Sequence, residues 1–370
     1  MRITCVFLGS TSASAVYSYQ MISTLSHRDD CELQVVVSKR VYNLKDWLLL
    51  RERNNCEMVV VDTYKHTPLH LVLSFLNVPK IYKLANKILK YKPQCVYVPF
   101  GCVWGPILYP FLYRKTAIVD TIHDPHLHDT PKHIFESIFY KVNRWAIKFT
   151  HGIVILNKTD YEFVKSLYKK PVTIIPHAAF SYYSQYNLKH SYDDIKFRIS
   201  FVGRIEPYKG LDVLVGAFEK LNVDNLKLVV AGGGKISEEL KKRILSNKDI
   251  ELYNRFVPDD EMVKIVLSSD FLVLPYLRAS QSGVIPMAFA LGKTVIATNV
   301  GSLQQQVPTG MGIVTEANEV SIRTEIERMY RHPNLIKEYG ARAKEYADRE
   351  LTWEKSVETL VNFLKTIDNK

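Results

Sequence analysis

Twelve short apolar runs separated by helix-like segments constrain this chain more than any other feature. In the first half they are Ile3–Leu8, Leu33–Val37, Met58–Val61, Cys95–Pro99, Ala117–Ile122, Gly152–Leu156 and Val172–Ile175. In the second half they are Arg198–Val202, Lys227–Ala231, Leu252–Val257, Phe271–Pro275 and Thr294–Ala297. The runs are continuous rather than alternating, so both faces of each strand are expected to be covered, as in a parallel sheet between helices. Two such series predict an α/β protein of two doubly wound, Rossmann-like domains. A chain of 370 residues has the length for two cores. The polar, tyrosine-rich stretch 180–196 reads as the linker, which gives domains at 1–185 and 190–350. The charged run from about 321 to 369 reads as helices.

Two strand ends in the second half offer positive charge and small residues. The strand Phe197–Gly203 is followed by Arg204 and Lys209, and a helix begins near Leu211. The run Phe271–Pro275 leads to a Ser-Gln-Ser-Gly turn, Ser280–Gly283, which opens a second apolar helix. A helix start with small residues and fixed cations nearby suits an anion, and two such ends would grip one diphosphate from both sides. The chain contains no Asp-x-Asp pair of the kind that bridges a diphosphate through metal. Arg204, Lys209 and the Ser282–Val284 amides are therefore the candidates for stabilising a departing diphosphate. Gly232–Gly234, after the run Lys227–Ala231, reads as a turn needing positive φ.

GRIEPYKGLDVLVGAF at 203–218 resembles the arginine–lysine signature of the retaining family 4 glycosyltransferases. PYLRASQSGVIPMAFALGKTVIAT at 275–298 is similar to their second donor-site signature. The resemblance implies the GT-B fold, with two Rossmann-like lobes facing across a cleft and a C-terminal helix, 351–370, crossing back to the first lobe. It implies a nucleoside-diphosphate sugar as co-substrate, with no other cofactor and no metal. Arg204 and Lys209 would be catalytic. Gly203, Val257, Ser280, Gln281, Ser282, Gly283 and Val284 would bind the donor, Val257 in the loop that holds the base. Gly9 and Ser10, after the first strand, would face the same cleft. In one respect the sequence departs from the family. Aligned on Gly292–Lys293, the two family glutamates fall on Ala279 and Met287, which leaves ribose and sugar recognition to other residues. A nucleotide-sugar epimerase of the same architecture and a catalytically dead binding protein stay open as alternatives.

In the first half, TIHDPHLHD at 121–129 follows an apolar run. His123, His126 and His128 have the spacing of a metal site, but on a loop no helix fixes their geometry. The resemblance offers another reading, in which His123 faces the donor sugar and Asp124 orients its ring. A plain polar loop is the third.

Charge is distributed unevenly. Residues 1–190 hold 24 Lys and Arg against 13 Asp and Glu, whereas residues 191–370 hold 25 of each. The whole surplus lies in the first half, which predicts an anionic surface or partner for that half. Lys80, Lys83, Lys87 and Lys90 recur at helical spacing, Lys141, Arg144 and Lys148 recur beside Trp145, and Lys39–Arg53 encloses Trp47–Leu50. Cations interleaved with aromatic and aliphatic residues suit an anionic membrane surface. No nucleic-acid-binding motif is present. The five cysteines show no CxxC spacing, which fits a reducing cytoplasm. MRITCVFL reads as a first strand, and no apolar run reaches bilayer-spanning length. With the resemblance, these features point to a cytoplasmic enzyme held peripherally at the inner face of a membrane. Its acceptor would be a glycan or a polyprenyl-diphosphate-linked sugar, in capsule, exopolysaccharide or O-antigen biosynthesis.

Overall fold

The computed structural model describes residues 1–10, 12–53, 55–63, 68–126, 141–180 and 197–368. The chain divides into two compact units, Met1–Pro176 with Trp353–Lys370, and His177–Thr352. The division falls at Pro176, ahead of the expected 185, and most of the expected linker, 181–196, lies outside the described residues.

Unit 1 is a seven-stranded parallel sheet of β1 (Arg2–Phe7), β2 (Glu32–Ser38), β3 (Cys56–Val61), β4 (Cys95–Val98), β5 (Ala117–Ile122), β6 (Gly152–Ile155) and β7 (Val172–Ile174). The spatial order is β3-β2-β1-β4-β5-β6-β7. Unit 2 is a six-stranded parallel sheet of β8 (Phe197–Val202), β9 (Leu226–Ala231), β10 (Ile250–Tyr253), β11 (Phe271–Leu274), β12 (Thr294–Thr298) and β13 (Gly312–Thr315), in the order β10-β9-β8-β11-β12-β13. Most central strands are buried along their whole length, β4, β6 and β11 among them, which is why they read as continuous apolar runs. Both sheets reverse direction of winding next to their first strand, between β1 and β4 and between β8 and β11. In open α/β sheets, ligands bind beyond the carboxyl ends of the strands at that switch point. Loops 8–10 and 99–101 occupy it in unit 1, and loops 203–210 and 275–283 in unit 2.

Two strands differ from expectation. The run expected at Leu252–Val257 pairs over Ile250–Tyr253 instead. Asn254 ends it by accepting the Gly234 N–H at 3.2 Å, and Phe256 is left 71% exposed. The edge strand β13 has only one fully buried residue, so no apolar run announced it.

The helix Trp353–Asp368 belongs to unit 1. Its residues Trp353, Val357, Leu360 and Leu364 recur every three to four positions and are buried. Trp353 meets Tyr17 edge-on at 5.3 Å, Gln94 Nε2 donates to Asp368 at 2.7 Å, and Lys365 reaches Asp30 at 3.2 Å. Each fully buried side chain of this kind contributes about 1.5–3 kcal/mol, so the helix is part of the unit 1 core.

Candidate active site

In unit 2 the local backbone is arranged to bring Lys209 beside the end of β8. Gly203 adopts φ +110°, and a side chain at Gly232 would put Cβ 1.9 Å from the Gly203 carbonyl, so both positions require glycine. Gly210, at φ +64°, packs so closely on the Pro275 carbonyl that a Cβ would sit 2.1 Å away. The Leu277 N–H donates to Tyr208 O at 2.7 Å. The 3₁₀ turn Pro207–Lys209 is thereby clamped to the end of β11. Lys209 Nζ lies 4.9 Å from the centre of the buried Tyr276 ring and 3.2 Å from where a Gly203 Cβ would be. Val284 Cγ2 is 3.7 Å from that same point. Arg204 is exposed. Neither Arg204 nor Lys209 has a carboxylate partner among the described residues, whereas Lys220, Lys227, Arg243 and Arg255 do.

The turn 279–283 is braced by the segment after β12. Gly301, at φ +55°, abuts the Ala279 carbonyl, and Ser302 Oγ donates to Ser280 O. Gln306 holds both sides of one residue, accepting the Ser282 N–H at 2.7 Å and donating to Ser282 O at 3.1 Å. Ser282 Oγ accepts the Val284 N–H at 3.2 Å and lies 3.3 Å from Tyr276 Oη. These bonds correct the expectation that the Ser282–Val284 amides all wait for a diphosphate. Two of the three are engaged inside the protein, and only the Gly283 N–H has no recorded partner among the described residues. Gln281 Oε1 is buried without a partner among those residues. His177 Nδ1 donates to Ala178 O at 2.8 Å, and its Nε2 lies 3.6 Å from where a Gly283 side chain would begin. Burial pushes the His177 pKa down.

Ala279 and Met287, at the family's glutamate positions, are buried apolar side chains. Val257 is buried and the adjacent Phe256 exposed, while Arg255 is ion-paired to Glu261. The Val257 side chain is thus packed away, and Phe256 is the accessible residue of that loop. Tyr276, Gln306 and His177 carry no local signal in the sequence, because each acquires its place only through a contact with another segment.

In unit 1, Gly9 and Ser10 lie at the switch point after β1. A Cβ at Gly9 would meet the Phe7 ring at 2.9 Å, and Ser10 Oγ is buried without a partner among the described residues. His123, after β5, is half-buried between Phe100 (4.0 Å) and the edge of Tyr17 (4.7 Å). Its Nε2 donates to Pro99 O at 2.9 Å, so a backbone carbonyl at the switch point helps set the ring, with Nδ1 the other nitrogen. Asp124 accepts the His126 N–H at 3.2 Å. His126 Nε2 meets the buried Asp160 at 2.9 Å, and Asn157 also donates to that carboxylate. His128 lies outside the described residues. Behind the loop, Asp120 on β5 is fully buried and accepts from Tyr109 Oη at 2.7 Å. Desolvation raises its pKa to about 7.

Of the cations expected to face a membrane, Lys83, Lys87 and Lys90 are exposed along one face of the helix Val78–Lys90, opposite the buried Ile81, Leu84 and Ile88. Lys80 is half-buried at its edge. Lys141 and Lys148 are exposed, whereas Arg144 hydrogen-bonds the Tyr168 hydroxyl. The segment Lys39–Arg53 divides, because Trp47 is buried and stacks on Phe7 at 5.6 Å and Leu50 is buried too, whereas Leu48 and Leu49 are exposed. No helix among the described residues is long and apolar enough to cross a membrane.

Two parallel-sheet Rossmann-like units are the architecture of the GT-B glycosyltransferases. Solved structures share it at low identity. A sucrose-phosphate synthase from Thermosynechococcus elongatus aligns at TM-score 0.72 and 14% identity, over 99% of this chain and 98% of that one. Anabaena HepE in complex with UDP-glucose aligns at TM-score 0.70 and 15% identity, over 99% and 100%. Residues 196–332, all within unit 2, match the family described as Glycosyl transferases group 1. A glycosyltransferase of Methanocaldococcus jannaschii is 32% identical over 161 residues, 42% of this chain and 44% of that protein. A D-inositol 3-phosphate glycosyltransferase of Rhodococcus jostii is 28% identical over 176 residues, 44% of this chain and 39% of that protein. The match thus spans less than half the length of these relatives.

Proposed function

We propose that the protein is a retaining family 4 glycosyltransferase that moves a sugar from a nucleoside-diphosphate donor to a glycan or polyprenyl-diphosphate-linked acceptor. Its setting would be the inner face of a membrane, in capsule, exopolysaccharide or O-antigen assembly. The observation that carries the reading is the pair of unpartnered cations, Arg204 and Lys209, at the switch point of the unit 2 sheet. Such cations stabilise charge that develops on a leaving diphosphate, and they cost no reorganisation because the turn is already clamped. The Gly283 amide adds one donor. Lys209 lies over the buried Tyr276 ring, which lowers the local polarity around its charge and strengthens its pull on an anion. In unit 1, His123, whose Nε2–H is held on Pro99 O, is the residue that the family resemblance implies for facing the donor sugar. The acceptor would attack from the face the diphosphate leaves, with a diphosphate oxygen taking the proton, so no carboxylate pair is needed.

HepE crystallised with UDP and UDP-glucose supports uridine donors as the first to screen. The test is a donor screen that reads released nucleoside diphosphate. Release that needs an acceptor supports the transferase. A new free sugar without acceptor would indicate an epimerase or hydrolase. Absence of nucleotide binding would leave a binding protein.

A further inference from the structure

We propose that unit 1 carries a docking face for an anionic lipid bilayer, with a groove at Arg114 and Lys115 that takes a lipid phosphate. This rests on the membrane part of the reading above and deepens it. Between Asp62 and Asp120 the chain contains no Asp or Glu, but eight Lys and Arg. Ring contacts join this stretch to the cationic segment 141–151. Tyr82 of the helix Val78–Lys90 meets Phe111 of the helix Gly105–Leu112 at 5.3 Å. Tyr113, just past that helix, meets Phe149 at 5.8 Å, and Phe149 meets Trp145 at 4.8 Å. Three segments distant in sequence therefore share one aromatic seam.

Pro110, Phe111, Tyr113, Arg114, Lys115 and Phe149 line a groove of about 350 Å³ along the seam. Arg114 and Lys115 are exposed and have no carboxylate partner among the described residues. A guanidinium beside an ammonium matches a phosphate diester, and the aromatic walls match the apolar part of the lipid that follows it. Leu73 of the helix Pro68–Phe75, Leu76 after it, and Val78 at the start of the helix Val78–Lys90 are 48%, 74% and 41% exposed. A nucleic acid or acidic glycan would answer the cations but leave these aliphatic side chains without a role. A bilayer interface answers both, because phosphates meet Lys and Arg while aromatic and aliphatic groups enter the headgroup–acyl boundary.

The protein contains its own reporter. Of its four tryptophans, Trp47, Trp104 and Trp353 are at most 3% exposed, and Trp145, on the seam, is 44% exposed. Full-length protein titrated with phosphatidylcholine vesicles containing phosphatidylglycerol should show tryptophan emission moving to shorter wavelength and acrylamide quenching falling. Both changes should vanish in Trp145→Phe and weaken with salt. The double variant Arg114→Glu, Lys115→Glu should lower partitioning at least about tenfold, since each cation near an anionic surface is worth roughly a factor of five. Unchanged emission and no sedimentation at low salt would overturn the proposal, as would equal binding to neutral vesicles. Binding to heparin or RNA with no binding to vesicles would overturn it in favour of a soluble polyanion. Normal vesicle binding by the double variant would remove the groove. UDP binding measured on the same samples separates the two readings. UDP binding without vesicle binding sinks this inference alone, whereas vesicle binding by a protein that binds no nucleotide sinks the transferase.

Discussion

The two units share a sheet topology and differ in what they do with charge. In unit 2 about half of the cations are ion-paired, such as Lys220 with Glu319, Arg243 with Glu219 and Arg255 with Glu261. Arg204 and Lys209 have no carboxylate partner among the described residues and differ from the other unpaired lysines in standing at the switch point of the sheet. In unit 1 the helix Val78–Lys90 carries four lysines with no ion pair recorded among the described residues, spread over an exterior face rather than focused at a strand end. Pairing, more than the number of charges, separates a solvated surface from a surface prepared for an anion. A cation at a clamped turn can act on one bound group, whereas cations along a helix can only attract an extended one.

The largest expected effect tests the focused pair. Lys209→Ala and Arg204→Ala should each reduce turnover by about two orders of magnitude, near 3–4 kcal/mol of transition-state stabilisation, and leave vesicle binding intact. Normal rates in both would break the comparison at its unit 2 end.

Next in size is a stability effect confined to unit 1. Asp120 has a folded pKa of about 7 against an unfolded value of 3.8. The folded state therefore holds the proton more tightly. The resulting stability is fully present below about pH 4, is lost as pH rises towards 7, and changes little above, with a maximal slope near 1.4 kcal/mol per pH unit. Asp120→Asn should match the parent near pH 4 and exceed it in melting temperature at pH 8. A variant that melts at or below the parent at pH 8 would show that the carboxylate is stabilised in a way the Tyr109 bond alone does not explain.

A smaller effect tests the brace in unit 2. Gln306→Leu leaves the Ser282 N–H and C=O without their partner. We expect UDP affinity to weaken about tenfold, the scale of one lost buried hydrogen-bonding group, with Gln306→Glu recovering part of it through the N–H bond. Unaltered affinity in Gln306→Leu would mean the turn is held by Gly301 and Ser302 alone. Smallest is the charge effect on the extended face. Reversing Lys83, Lys87 and Lys90 to Glu should abolish the salt-sensitive part of vesicle binding and move UDP affinity by less than twofold. A larger change in UDP affinity would mean that the extended face also serves the donor site.

What the sequence determined by itself was whatever local pattern governs. Continuous apolar runs can only be strands covered on both sides, so eleven of the twelve runs overlap their strands closely and the two-sheet architecture followed. Arg204, Lys209 and the glycine turn at Gly232–Gly234 were legible in the sequence, whereas the close backbone approach at Gly210 is a product of the fold. Tertiary structure alone decided which polar groups are still available. The Ser282 N–H is taken by Gln306, and a hydrogen-bond partner 24 positions away leaves no local trace. It also decided which apolar residues face outward. Trp47 and Trp145 both sit among cations in the sequence, yet one stacks on Phe7 in the core and the other lies at the surface. Burial depends on what the rest of the chain packs against each residue, and that is a property of the fold rather than of the segment.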